Sequence, residues 1–177
     1  FNSSDVFLLL LTRASIGDQS IRLAGVAFNA DSLTILAYVF YNLVFALTAY
    51  PMGILADKLG FRKTVALGFV LFAIVYGGFA ASPSVTVIFL LCALYGCYAA
   101  ATEGVIKAWI SNLTGKQNTA TAIGFYASCE SICTLFASFI AGAIWTYAGS
   151  TACFGISALT ALLAAVYILA FIRTHKN

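Results

Sequence analysis

The sequence predicts an all-α protein, a polytopic bundle of transmembrane helices, and three observations carry that prediction. Hydrophobic residues fill 62% of the chain and charged ones only 8%, a balance foreign to soluble domains. The apolar residues gather into runs long enough to cross a bilayer, which takes about 20 residues at about 1.5 Å of rise each. The charges lie mostly between the runs, the densest group being Asp57, Lys58, Arg62 and Lys63.

Five runs are complete, at residues 33–56, 64–81, 85–111, 119–147 and 152–172. A sixth, 1–14, reads as the outer part of a helix whose beginning is missing. The chain opens on Phe1 within an apolar stretch and its single methionine is Met52, so a fragment is expected. The alternative, a mature chain after signal removal, would leave the stretch VFLLLL in an exposed tail. Residues 15–31 read as a loop. The run 33–56 carries Pro51 near its far end, where the ring removes a backbone donor and should bend the helix.

The run 64–81 holds no charge and is apolar nearly all round, so it is the helix expected to face lipid. After a turn at Ser82-Pro83-Ser84, 85–111 carries Gly96, Ala100 and Gly104 spaced by four, a stripe that lets two helix backbones approach closely. A short loop, 112–118, leads to the longest run, 119–147, and a turn to the last, 152–172. Cys92, Cys97, Cys129, Cys133 and Cys153 all fall inside these runs and read as small packing residues rather than a disulfide framework.

Orientation follows from the positive charges of the short loops. Lys58, Arg62, Lys63, Lys116, Arg173 and Lys176 fall on one side, Arg13 and Arg22 on the other. Six against two places the charged hairpin and the C-terminus in the cytoplasm, in a protein of the cytoplasmic membrane.

The spacing of Gly53, Asp57, Lys58, Gly60, Arg62 and Lys63 resembles the signature loop of the major facilitator superfamily of secondary transporters. Phe61 stands where that family usually has an arginine, which suits the looser copy of the loop in the second half. The resemblance implies the C-terminal six-helix half of a transporter that works by alternating access. Its partners would then be membrane lipids, the missing N-terminal half and a small-molecule substrate, with no nucleic acid and no cofactor. A first half is the alternative; the absence of a Gly-Pro motif around 138–145 and the chain's end soon after its last run oppose it.

In the loop, Asp57 can neutralise the N-terminus of a facing helix, while Lys58 and Arg62 engage carboxylates or lipid phosphates. Gly53 and Gly60 would permit a close approach and a tight turn. The resemblance makes this loop a cytoplasmic gate.

Ionisable groups within the bilayer are costly and each calls for a functional hypothesis. Glu103 and Lys107, four apart with the acid first, have the spacing of an intrahelical ion pair. Asp5 and Glu130 show no partner in their own helices, which makes them candidates for carrying a coupling proton. Glu130 shares a face with Thr134 and Ser138, a polar stripe suited to a helix lining an aqueous path. The resemblance further places Asp5, Asn42, Tyr98 and Glu130 around a central cavity. Tyr38, Tyr41 and Phe45, and Tyr95 with Tyr98, read as packing or a substrate wall. The expected function is proton-coupled transport of a small solute; the alternative is a non-transporting membrane protein such as an assembly subunit or intramembrane enzyme. No metal motif, nucleophile elbow or nucleotide loop supports the enzyme.

Overall fold

Apolar runs that must satisfy their own backbone groups in lipid have one local solution, the helix, and helices make up nearly all of what the computed structural model describes, residues 21–23, 26–81, 84–115 and 117–171. They are α1 (Ala30–Leu59), α2 (Phe61–Ala80), α3 (Val85–Leu113) and α4 (Thr119–Phe171). All four are long and apolar enough to cross a membrane, so the chain is an integral membrane protein. The run 1–14, with Asp5, lies outside the described residues, as do Arg13, Lys116, Arg173 and Lys176. Where a loop was expected before α1, β1 (Ile21–Leu23) pairs antiparallel with β2 (Val26–Phe28), Ile21 opposite Phe28.

The 53 residues of α4 are interrupted at Gly149, whose φ of 84° and ψ of 169° lie outside the helical region and where glycine alone is unstrained. The Cys153 thiol reaches the Ala141 carbonyl at 3.6 Å across that break, and the rings of Trp145 and Phe154 stand 5.6 Å apart. An unbroken helix would carry residues twelve apart about 18 Å along its axis. The chain therefore doubles back at Gly149 into two limbs, 119–148 and 150–171.

The helices do not pack in chain order. α1 lies mainly on α3, α3 on α2, and α2 on α4, while α1 and α2 touch little although one residue joins them. A relay of rings ties this order together. Tyr41 of α1 meets Tyr95 of α3 at 5.1 Å, Tyr98 of α3 meets Phe72 of α2 at 4.8 Å, and Tyr76 of α2 meets Phe154 of α4 at 5.5 Å. Tilted and edge-on pairs of this kind contribute about 0.5–1.5 kcal/mol each beyond simple burial. Leu33, Val75, Ile88 and Cys92 fill the space around them.

This order overturns the expectation for 64–81. α2 is sandwiched between α3 and α4, with Thr64, Val65, Ala66, Gly68, Ala73, Val75, Tyr76 and Phe79 buried. A helix apolar all round is read from sequence as lipid-facing, but the same composition suits a helix with protein on both sides. Of its large apolar side chains α2 leaves Leu67 and Ile74 exposed, and most of the exposed apolar surface lies instead on α1 (Leu47, Tyr50) and on α4 (Phe125, Phe139, Tyr167).

Candidate functional site

Three features stand where chemistry is expected: the turn between α1 and α2, a polar pocket between α3 and α4, and an aromatic cavity beside it. The charged hairpin is tighter than its sequence suggests, because α1 runs on through Leu59 rather than stopping at Ala56. Asp57 and Lys58 occupy its last turn, and Arg62 and Lys63 the first turn of α2. Gly60 is the whole connection. Its φ of 90° and ψ of 146° belong to glycine, its N–H donates to the Ala56 carbonyl at 2.9 Å, and its own carbonyl accepts from Thr64 N–H at 3.3 Å and Oγ1 at 3.2 Å. Asp57, Lys58 and Lys63 are exposed and Arg62 half-buried. Phe61 turns inward and lies parallel to Trp109 of α3, centroids 6.4 Å apart, so an aromatic contact anchors the turn.

Gly53 behaves differently from its expected role. A methyl group at Gly53 would meet nothing within 4 Å, and the same holds for Gly104 across from it. At Gly96, by contrast, a Cβ would lie 2.9 Å from the Tyr41 carbonyl oxygen and 3.0 Å from the Phe45 nitrogen. α1 and α3 thus cross in contact at Gly96 and splay toward the hairpin, enclosing a cavity of about 360 Å³ that Gly53, Asp57, Phe61, Gly104 and Asn112 border.

The polar pocket is small, about 70 Å³, and four side chains line it: Glu103 and Lys107 from α3, Tyr126 and Glu130 from α4. The short link between the two helices makes them antiparallel neighbours, so residues about ten positions on either side of it come level. Glu103, Tyr126 and Glu130 are half-buried and Lys107 is exposed. Tyr126 Oη donates to Glu130 Oε1 at 3.3 Å. Glu130 therefore has a partner in its own helix, contrary to expectation, because a phenol at i−4 carries no charge and in sequence reads as packing. The stripe continues through Thr134 and Ser138, half-buried amid the exposed apolar residues of α4, and Ser138 Oγ is satisfied by the Thr134 carbonyl at 2.7 Å. Space for a few waters, two carboxylates, an ammonium and a phenol make a site suited to proton exchange.

The remaining candidates lie elsewhere. Asn42 donates to the Tyr38 carbonyl of its own helix at 2.8 Å. Tyr98 is buried in the ring relay and lines the aromatic cavity, about 270 Å³, with Phe72, Tyr76, Cys153 and Phe154. The structure thus brings together Glu103, Lys107 and Glu130, adds Tyr126, and leaves Asn42 and Tyr98 outside the pocket. Among the described residues, no group of three or more His, Cys, Asp or Glu is arranged to hold a metal ion.

The sequence model of the Major Facilitator Superfamily matches residues 9–177, nearly the whole chain. The chain belongs to the Major Facilitator Superfamily. A superfamily relative, an uncharacterized MFS-type transporter of Methanocaldococcus jannaschii, is 37% identical over 113 residues, which cover 64% of this chain and 28% of the relative. The matched part thus spans little more than a quarter of that transporter's length. No solved structure matches the chain. Membership gives the charged turn and the polar pocket a common setting, since both belong to a family of transporters.

Proposed function

We propose that the chain is the C-terminal half of a secondary transporter that moves a small solute by alternating access, coupled to protons through Glu130. The observation that carries this reading is the polar pocket. In a superfamily member, two helices turn Glu103, Lys107 and Glu130 toward one small space inside an otherwise apolar bundle. Glu130 is the proton carrier, and Glu103 with Lys107 forms the charged wall opposite.

On this reading the chain crosses the membrane five times after residue 30, through α1, α2, α3 and the two limbs of α4, with the Gly60 turn and the C-terminus cytoplasmic. The substrate site lies between this half and an N-terminal half. The Gly60 turn is the cytoplasmic gate, where Asp57 meets a facing helix end and Lys58 and Lys63 meet lipid phosphates. The family membership favours transport over the alternative of a non-transporting subunit or intramembrane enzyme.

The test uses the full-length transporter in liposomes that hold a pH-sensitive dye, challenged with sugars, organic anions and cationic drugs in turn. Proton movement triggered by one solute class, and loss of that solute's accumulation when the pH gradient is collapsed, is the expected result. Solute accumulation indifferent to the pH gradient would refute proton coupling. For the gate, Asp57→Asn is expected to slow flux several-fold with expression and insertion unchanged; wild-type flux would remove Asp57 from the gate.

A further inference from the structure

We propose that the aromatic cavity between α2, α3 and the two limbs of α4 is a binding site for a neutral aromatic alcohol of two-ring size, taken up from the bilayer. The site is separate from the polar pocket, since no residue lines both. Tyr76, Tyr98, Cys153, Phe154 and Ala161 form its floor and are buried, while Ala137 and Thr160, on opposite limbs of α4, are exposed at its rim. Both rim residues lie inside apolar stretches, so the way in is from lipid rather than from water. Every wall residue belongs to this chain, and the site is formed without a second half.

Size, shape and polarity narrow the ligand. At about 270 Å³ the cavity has nearly twice the volume of an apolar cavity of about 150 Å³ that accepts benzene, which suits two fused rings. Phe72 stacks on Tyr76 at 4.0 Å and meets Tyr98 edge-on at 4.8 Å, and Tyr76 meets Phe154 at 5.5 Å. Rings that brace one another make a wall already in place when the ligand arrives, and an aromatic ligand adds stacked and edge-on contacts that a flexible chain lacks. Among the described residues no charged side chain lines the cavity, so an ion would lose its water and gain no counter-charge.

The polar atoms specify the rest. Ser157 Oγ donates to the Cys153 carbonyl at 2.8 Å, Thr160 Oγ1 to the Ser157 carbonyl at 2.9 Å, and Cys153 Sγ to the Ala141 carbonyl at 3.6 Å. Each of these groups has a single proton, already engaged within α4, so the two hydroxyl oxygens offer a ligand only lone pairs. The ligand's polar group must therefore donate, as a hydroxyl does.

The test titrates the full-length transporter in lipid nanodiscs with 2-naphthol by calorimetry, with empty nanodiscs as the partition background. Naphthalene, which lacks the hydroxyl, and 1-decanol, which replaces the rings by a chain, are the comparisons. A saturable site for 2-naphthol is expected, with naphthalene about three- to tenfold weaker and decanol weaker than 2-naphthol. Ala137→Phe fills the mouth from an exposed position and should abolish the saturable binding. Thr160→Val keeps the shape and removes an acceptor, so it should weaken 2-naphthol and leave naphthalene unchanged, and it remains informative if the phenylalanine variant folds poorly. Wild-type binding in both variants, or uptake no greater than that of empty nanodiscs, would overturn the site. Decanol binding more tightly than 2-naphthol would overturn the aromatic ligand and make the cavity a seat for a lipid chain.

Discussion

Gly96 and Gly104 lie two turns apart on one helix, were picked out by the same four-residue spacing, and have opposite surroundings. At Gly96 the backbone of α1 is so close that a methyl group would press on Tyr41 and Phe45; at Gly104 it would find open space. Spacing by four reports that a helix face is small, which permits contact without requiring it. What decides is the crossing point. Next to Gly96 the rings of Tyr41 and Tyr95 lock α1 to α3, while toward the hairpin Gly104 borders the cavity between them, where Phe61 of α2 lies parallel to Trp109 of α3. The bundle is thus closed in its aromatic middle and open at the end that carries the charged turn.

The sharpest way to break this comparison is to fill both glycines with the same side chain. Gly96→Leu is expected to abolish recovery of monodisperse protein, because overpacking against backbone costs about 1–3 kcal/mol or more. Gly104→Leu should be recovered at close to wild-type yield, read by size-exclusion chromatography in detergent. Equal behaviour of the two variants would dissolve the distinction.

A smaller effect is expected at the turn itself. Gly60→Ala places a Cβ at a φ of 90° and should lower the thermal midpoint, with a cost of about 1–2 kcal/mol that comes from backbone strain because nothing lies within 4 Å to clash. An unchanged midpoint would show that the turn relaxes freely. The smallest effect is expected for Phe61→Leu, which removes the ring contact with Trp109 while keeping apolar bulk, a loss of about 0.5–1.5 kcal/mol. Its signature is a change in Trp109 fluorescence with the fold intact. Unaltered emission from Trp109 would remove Phe61 as the anchor of the turn.

The helical class and the family were legible because they depend on patterns local in sequence: apolar runs near bilayer length, and a turn signature with glycine at the position that needs positive φ. What was not legible depends on order in space. Nothing local says that α2 sits between α3 and α4, so an uncharged run was read as facing lipid when protein covers it. Glu103, Lys107 and Glu130 were each found as intramembrane charges, yet their meeting required the antiparallel register of α3 and α4. Tyr126 was hidden by its chemistry, since a tyrosine among the chain's many aromatics reads as packing until its hydroxyl is seen on Glu130. Asn42 and Tyr98 were assigned to a central cavity by family likeness rather than by any pattern of their own; in the structure Asn42 donates to its own helix backbone, and Tyr98 stands among packed rings at the wall of the aromatic cavity.

The proton-carrier role of Glu130 is tested most directly by Glu130→Gln in the reconstituted full-length transporter, with solute-driven proton movement and solute exchange measured side by side. The account predicts that proton movement is lost while exchange of solute across the membrane, which needs no net proton transfer, continues at a comparable rate. Proton movement persisting at the wild-type rate in the glutamine variant would contradict it.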